Sequence, residues 1–244
     1  MDRELDVDPA AGDPTATGDP TATGDPTARR PASWHARSGR ITARKRWALE
    51  ALAPPAAALD GADLRAAAAV VVELGAGTGE AALALAAARP ELRVVATEVH
   101  KASVATLLLR AHEQAPANLT VVVGDGRDTL AAIGRQRPVD LVRIFFPDPW
   151  PKHRHRARRL VGPDLLGLLA EVLTPHGRVE LATDDARYAA AARRAVEADP
   201  RFRVLGTARA DRPVTYYERR ALDAGRAVHD LQFGPADTDS PEDG

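Results

Sequence analysis

The chain has 244 residues, with 33 Lys and Arg against 34 Asp and Glu, and no cysteine. That length suits one large domain or two small ones, and the missing cysteines exclude disulfides and thiolate metal sites. No uninterrupted apolar run is long enough to span a membrane, and the acidic N-terminus is unlike a signal peptide, so a cytoplasmic protein is expected. The net charge of −1 conceals a segregation, because residues 1–28 hold seven acids against Arg3 and residues 235–244 hold four acids and no base. Residues 29–234 then carry 23 acids and 32 bases, a balance of +9. A basic body with acidic fringes suits a polyanionic partner.

Residues 12–28 repeat "GDPTAT" twice and begin a third copy. Prolines aside, the repeat offers no apolar side chain larger than alanine's, too little burial to offset ordering entropy. Residues 1–28 are therefore expected to be a disordered acidic tail, and 235–244 a second one. "RRPASWHARSGRITARKRW" (29–47) carries seven Lys or Arg and no acid, which reads as a flexible basic arm contacting the polyanion. The folded domain is expected over 48–234.

Within it, strands and helices alternate. "AVVVEL" (69–74) is an apolar strand, and the helix after it stops at Pro90. "RVVATEV" (93–99) is the second strand, followed by a helix from about 101 to 114. "NLTVVV" (118–123) is the third, with a short helix through "RDTLAAIG". "VDLVRIFF" (139–146) is the fourth, followed by a helix near 163–173. "RVELAT" (178–183) is the fifth, with a helix to about 198. This spacing predicts an α/β fold with a doubly wound, mostly parallel sheet and helices on both faces, whose ligands sit at the carboxyl ends of the strands.

Each of those ends delivers chemistry. "ELGAGTGE" (73–80) leaves the first strand and opens a helix, with Gly75, Gly77 and Gly79 permitting a sharp turn and close approach to a ligand. The spacing is G-x-G-x-G rather than G-x-G-x-x-G, and no Lys-Ser/Thr pair follows, which disfavours dinucleotide and phosphate-gripping loops. Glu98, 23 residues after Gly75, could accept both hydroxyls of a ribose. Asp125 closes the third strand, where a carboxylate could meet an adenine amino group. One acid per strand end suits an adenosyl ligand.

The fourth strand runs into "FFPDPWPKHRHRARR" (145–159). Pro147 and Pro149 stiffen the turn and aim Asp148 into the cleft beside the glycine loop. Trp150 is expected to offer a stacking face for a base, and the cations from Lys152 to Arg159 to grip phosphates.

"FFPDPWPK", with "ELGAGTG", "TEVH", "NLTVVVGD", "LATDD" and "RPVTYYERR", resembles the bacterial tRNA (guanine-N(7))-methyltransferases over roughly residues 37–233. The resemblance implies a class I, Rossmann-like methyltransferase fold, S-adenosylmethionine as donor and the variable-loop guanine of tRNA as target. It implies that Glu73, Gly75, Gly77, Glu98, Asp125 and Asp148 bind the donor or line the reaction centre, with Asp148 as the catalytic residue. It also implies that Lys152, Asp184, Thr215, Tyr216, Tyr217 and Glu218 contact the substrate. Tyr216 and Tyr217 stand where the family usually has Lys-Phe, and His229 stands where a tryptophan is common.

N(7) of guanine has a free lone pair, so no proton leaves before attack. Catalysis would be mainly positioning, with Asp148 stabilising the charge that grows on the ring. No metal is expected, since His153 and His155 are flanked by arginines. The oligomeric state is open, with a monomer favoured. Three other readings are weaker. A methyltransferase for amino groups of RNA or protein commonly carries an Asn/Asp-Pro-Pro-aromatic turn, an NAD-dependent oxidoreductase would need the final glycine, and a non-catalytic RNA-binding protein would not need all four acids.

Overall fold

The computed structural model describes residues 41–53, 59 and 61–236. The expected tails 1–28 and 235–244 lie outside the described residues, except for Pro235 and Ala236, and so does the basic arm as far as residue 40. The arm's last residues are helical: Thr42 caps helix α1 (Ala43–Ala51) by accepting from the Lys45 amide at 3.4 Å. The boundary expected between 47 and 48 thus falls inside a helix. Ala48 is fully buried, and Trp47 meets His112 edge-on at 6.1 Å, which docks α1 on α4 (Lys101–Gln114).

After the short α2 (Gly61–Ala66) come β1 (Ala69–Leu74), α3 (Glu80–Ala88), β2 (Leu92–Glu98), α4, β3 (Leu119–Val123) and α5 (Gly126–Gly134). Then follow β4 (Val139–Phe145), a 3-10 helix (His153–Arg158), α6 (Pro163–Val172), β5 (Leu173–Thr183) and α7 (Ala186–Glu197). The chain continues through β6 (Phe202–Gly206), α8 (Tyr216–Asp223) and β7 (His229–Pro235). The elements predicted between residues 69 and 198 are all present, within a few residues except at β5. There the strand begins at Leu173, and its extra residues pair with β4 through a register shift between Val139 and Leu141. Strands β6 and β7, helices α1, α2 and α8 and the 3-10 helix go beyond the expectation.

The seven strands run in the order β3-β2-β1-β4-β5-β7-β6. Pairings from β3 to β5 are parallel, and β7 is antiparallel to both of its neighbours. The order reverses between β1 and β4, and a ligand cleft opens at such a switch point beyond the carboxyl ends. Successive strand residues face opposite sides. Val70, Val72 and Leu74 join one apolar cluster with residues of α5, α6 and α7, while Val94, Ala96 and Val121 pack with α3, α4 and Ala48. The second layer is tight at Gly79, which starts α3 with φ +82°; a Cβ there would lie 2.2 Å from Leu107 Cδ1. Only glycine meets both demands.

Candidate active site

Six of the sequence-predicted residues, Glu73, Gly75, Gly77, Thr215, Tyr216 and Tyr217, line one cleft together with Phe145 and Phe146 at the end of β4. Gly75 and Gly77 turn the chain off β1 with φ +74° and +58°. A Cβ on Gly75 would meet nothing within 4 Å, so the backbone there faces open space. Glu98 closes β2 and folds back on the loop: Oε2 accepts from the Gly77 amide at 2.8 Å, and Oε1 accepts from the amides of Val99 and His100 at 2.8 and 2.7 Å. Thr97 adds a second tie, donating to the Glu73 carbonyl at 3.0 Å. The glycine loop and the end of β2 are thus one rigid piece. Asp125 caps α5, accepting from the Arg127 amide at 2.9 Å and from its guanidinium at 3.2 and 2.7 Å.

Glu73 is 3% exposed and lines the cleft with Gly75, Ala76 and Gly77. Its Oε2 is buried with no hydrogen-bond partner among the described residues. Burial pushes its carboxyl up to about 7, with Arg143 pulling it down and Glu180 adding to the rise. Strand register explains the grouping, because Glu73 pairs with Arg143 and Arg143 with Glu180, one beside the next on the same face. Arg143 donates to Glu180 Oε2 at 3.0 Å and to the Asp211 carbonyl at 2.9 Å. A charged residue inside each of two apolar strands, Arg143 in "VDLVRIFF" and Glu180 in "RVELAT", was the available signal for this row.

Asp148 is half-buried at the end of β4. Phe146 and Trp150, on either side of the Pro-Asp-Pro turn, have φ +53° and +43°. Positive φ at bulky residues stores strain, which persists only where the surroundings enforce it. The enforcers are on hand. The Phe146 amide donates to the Ala182 carbonyl at 2.8 Å, and Arg159 Nε donates to the Pro149 carbonyl at 3.0 Å.

Trp150 departs from the expectation. It is 3% exposed, with the Arg158 guanidinium 4.9 Å over its ring and His155 meeting it edge-on at 5.5 Å. It anchors the turn and has no face left for a base. The cationic strip divides accordingly. In a 3-10 helix residues three apart eclipse, so His155 and Arg158 share the Trp150 side. Lys152, Arg154, Arg156 and Arg158 are all exposed, and Arg154 Nε donates to His155 Nε2 at 3.3 Å.

The expected substrate residues divide as well. Thr215 caps α8, accepting from the Glu218 amide at 3.3 Å. Tyr216 and Tyr217 line the cleft, and the Tyr216 amide donates to Glu80. Tyr217 is 49% exposed. Partial burial pushes its hydroxyl up, and the charges of Glu98 and Asp148 add to this. Asp184 accepts from Arg226 Nε at 2.8 Å. Glu218 is buried, and its carboxylate accepts from Arg209 and Arg212 at 3.0–3.2 Å. Among the described residues no group of three or more His, Asp or Glu side chains could hold a metal ion, and no helix is long and apolar enough to cross a membrane.

A switch-point cleft with a glycine loop, an acid at each strand end and one antiparallel strand beside the outermost strand defines a class I methyltransferase. Solved structures agree on the fold. The 16S rRNA methyltransferase KamB matches with a TM-score of 0.54 and 16% identity, covering 74% of this chain and 92% of that one. A 16S rRNA (adenine(1408)-N(1))-methyltransferase from Catenulisporales acidiphilia matches with a TM-score of 0.50 and 17% identity, covering 76% and 94%. Residues 67–231 match the family described as "Putative methyltransferase". The tRNA (guanine-N(7)-)-methyltransferase of Halorhodospira halophila is 41% identical over 212 residues, which is 81% of this chain and 91% of that protein. The protein of the same description from Mycolicibacterium gilvum is 43% identical over 66% of this chain, and the match spans 65% of its own length. The chain belongs to the tRNA (guanine-N(7))-methyltransferase family.

Proposed function

We propose that this protein transfers a methyl group from S-adenosylmethionine to N(7) of a guanine in the variable loop of tRNA, in the cytoplasm. The observation that supports the reading is a cleft lined by Glu73, the glycine loop and Tyr216-Tyr217, with Glu98 bonded to that loop, in a chain aligned with 91% of a relative of that description. The cleft suits the donor. Glu73 offers a buried carboxylate oxygen without a partner among the described residues, a fit for the donor's ammonium, and the open backbone at Gly75 leaves room for its amino-acid end. Glu98 and Asp125, at the ends of the second and third strands, would take the ribose and the adenine.

The donor supplies an electrophilic methyl group on a sulfonium. Guanine N(7) carries a lone pair and no proton, so the protein need only hold the base in line and balance the charge that appears on the ring. Asp148, whose charge reaches Tyr217 at the cleft, would take both tasks. Tyr217, beside Glu98 and Asp148, would flank the base. Exposed Lys152, Arg154 and Arg156, with Arg187, Arg219 and Arg220, would take phosphates of the tRNA backbone. The test is transfer of tritiated methyl to bulk tRNA, followed by chain scission specific for N(7)-methylguanosine. Label without scission, or no label, would overturn the assignment.

A further inference from the structure

Four ionised side chains lie together between α8 and the start of β7. Arg212 has a fully buried side chain and uses its planar fork twice. Nε and Nη2 donate to the two oxygens of Glu218 at 3.1 and 3.2 Å, and Nη1 and Nη2 donate to those of Asp230 at 2.5 and 3.3 Å. Arg209 shares Glu218, so two guanidiniums face two carboxylates and the group is neutral. Burial alone would push Arg212 down, and Asp230 and Glu218 outweigh it and hold it charged. The same guanidinium lies 5.0 Å from the Phe145 ring and 6.0 Å from the Phe146 ring. Arg143 approaches Phe145 at 5.6 Å.

Arg212 therefore touches three pieces of the site at once. Glu218 is in the first turn of α8, next to Tyr217. Asp230 opens β7. Phe146 has φ +53° and is separated from Asp148 only by Pro147, whose φ is fixed, so a rotation at Phe146 swings the Asp148 carboxylate. Resting on the methyl-transfer reading above, we propose that Arg212 is a positioning residue, setting the Asp148 turn against the Tyr216-Tyr217 edge of α8 through Glu218 and the Phe145-Phe146 rings. Glu218 then serves the substrate indirectly, as the partner of Arg212. A lysine could keep the charge but would lack the fork that holds two carboxylates in one plane.

The experiment compares Arg212→Lys and Arg209→Ala with the parent full-length chain. Three quantities are read: the single-turnover methylation rate at saturating donor and tRNA, donor affinity by calorimetry, and hydrogen exchange by mass spectrometry. Arg212→Lys is expected to lower the rate by 10- to 100-fold with donor affinity within threefold. The amides of 145–151 and 216–222 should lose protection together while those of α3 and α4 keep theirs. Arg209→Ala, whose partner Glu218 keeps Arg212, should stay within threefold in rate. A lysine variant with the parent rate overturns the proposal, and so does a rate loss matched by an equal loss of donor affinity. Loosening of 216–222 without 145–151 also overturns it. Should Arg212→Lys not fold, Phe146→Leu leaves the ion cluster intact and should itself lower the rate about tenfold; an unchanged rate there refutes the link to Asp148. If the parent chain transfers no methyl to tRNA, the functional reading falls, and the exchange result still decides whether Arg212 joins the two segments.

Discussion

At the scale of single residues, Glu73 is the most informative group. Its raised value means that the folded state holds this proton more tightly than the unfolded chain does. The resulting stabilisation is present in full below the ordinary 4.5 and is lost as pH rises toward 7, a loss on the order of 3 kcal/mol for a shift of that size. Glu73→Gln removes the titration. The variant should exceed the parent in stability by about 1–3 kcal/mol at pH 8, and the difference should shrink toward pH 5, as read by denaturant unfolding at each pH. A constant difference would show that Glu73 does not titrate as described. Asp148→Asn addresses the chemistry instead: it keeps shape and most hydrogen bonding and removes the charge that the proposed function assigns to balancing the methylated ring. The single-turnover rate should fall about 10²-fold with little change in tRNA affinity, and a normal rate would remove Asp148 from the catalytic role. Glu98 combines two duties, since its oxygens already accept three backbone amides. Glu98→Gln should weaken donor binding by about 1–3 kcal/mol, the scale for hydrogen bonds to charge, and calorimetry with unchanged affinity would exclude it from the donor site.

At the scale of elements, the 3-10 helix sets His155 and Arg158 against Trp150, while, among the described residues, Arg154 and Arg156 make no contact with that ring. Arg158→Ala uncovers Trp150 and should lower thermal stability more than it lowers tRNA affinity. Arg154→Ala with Arg156→Ala should do the reverse, and the log–log salt slope of tRNA binding should become shallower by roughly 1.4–1.8, from about 0.7–0.9 per lost phosphate contact. Filter binding at several salt concentrations checks this, and an unchanged slope would place the RNA elsewhere. The five parallel strands and their helices were legible because buried strands are continuous apolar runs punctuated by glycine and proline. The acids at the strand ends were legible for the same reason, since they interrupt those runs at fixed places. Strands β6 and β7 were harder, being short and half-polar, although Leu231 and Phe233 alternate with polar neighbours as an antiparallel strand requires. Helix α8 carried a cap signal in Thr215 and Glu218, three residues apart. Glu218 answers it only in part, giving its amide to Thr215 and its carboxylate to arginines. Trp150 was misread because sequence shows a ring beside cations and not which of the two is covered. The Glu73-Arg143-Glu180 row depends on register between strands distant in the chain, so the lone charges in β4 and β5 signal it without naming the partners, and the Arg212 cluster depends on a loop folding back on α8 and β7.

At the scale of the whole molecule, the described fold accounts for its own packing without the acidic repeat. Deleting residues 1–28 is therefore expected to leave melting temperature and turnover nearly unchanged, and a large drop in melting temperature would make the repeat part of the fold. The sheet has a different dependence on chain order. Among the described strands β7 comes last in chain order, yet it lies between β5 and β6, and β6 pairs with no other strand of the described sheet. During translation, β5 and β6 must wait with unsatisfied backbone edges until residues 229–235 emerge, and Asp230, which completes the Arg212 cluster, arrives with them. A nascent chain halted near residue 225 should consequently be protease-sensitive and prone to associate through those edges, while one released after Pro235 should be resistant. The protein would thus gain its active geometry in a single late event at the end of vectorial synthesis, and a ribosome that stops short would leave no partly competent enzyme behind.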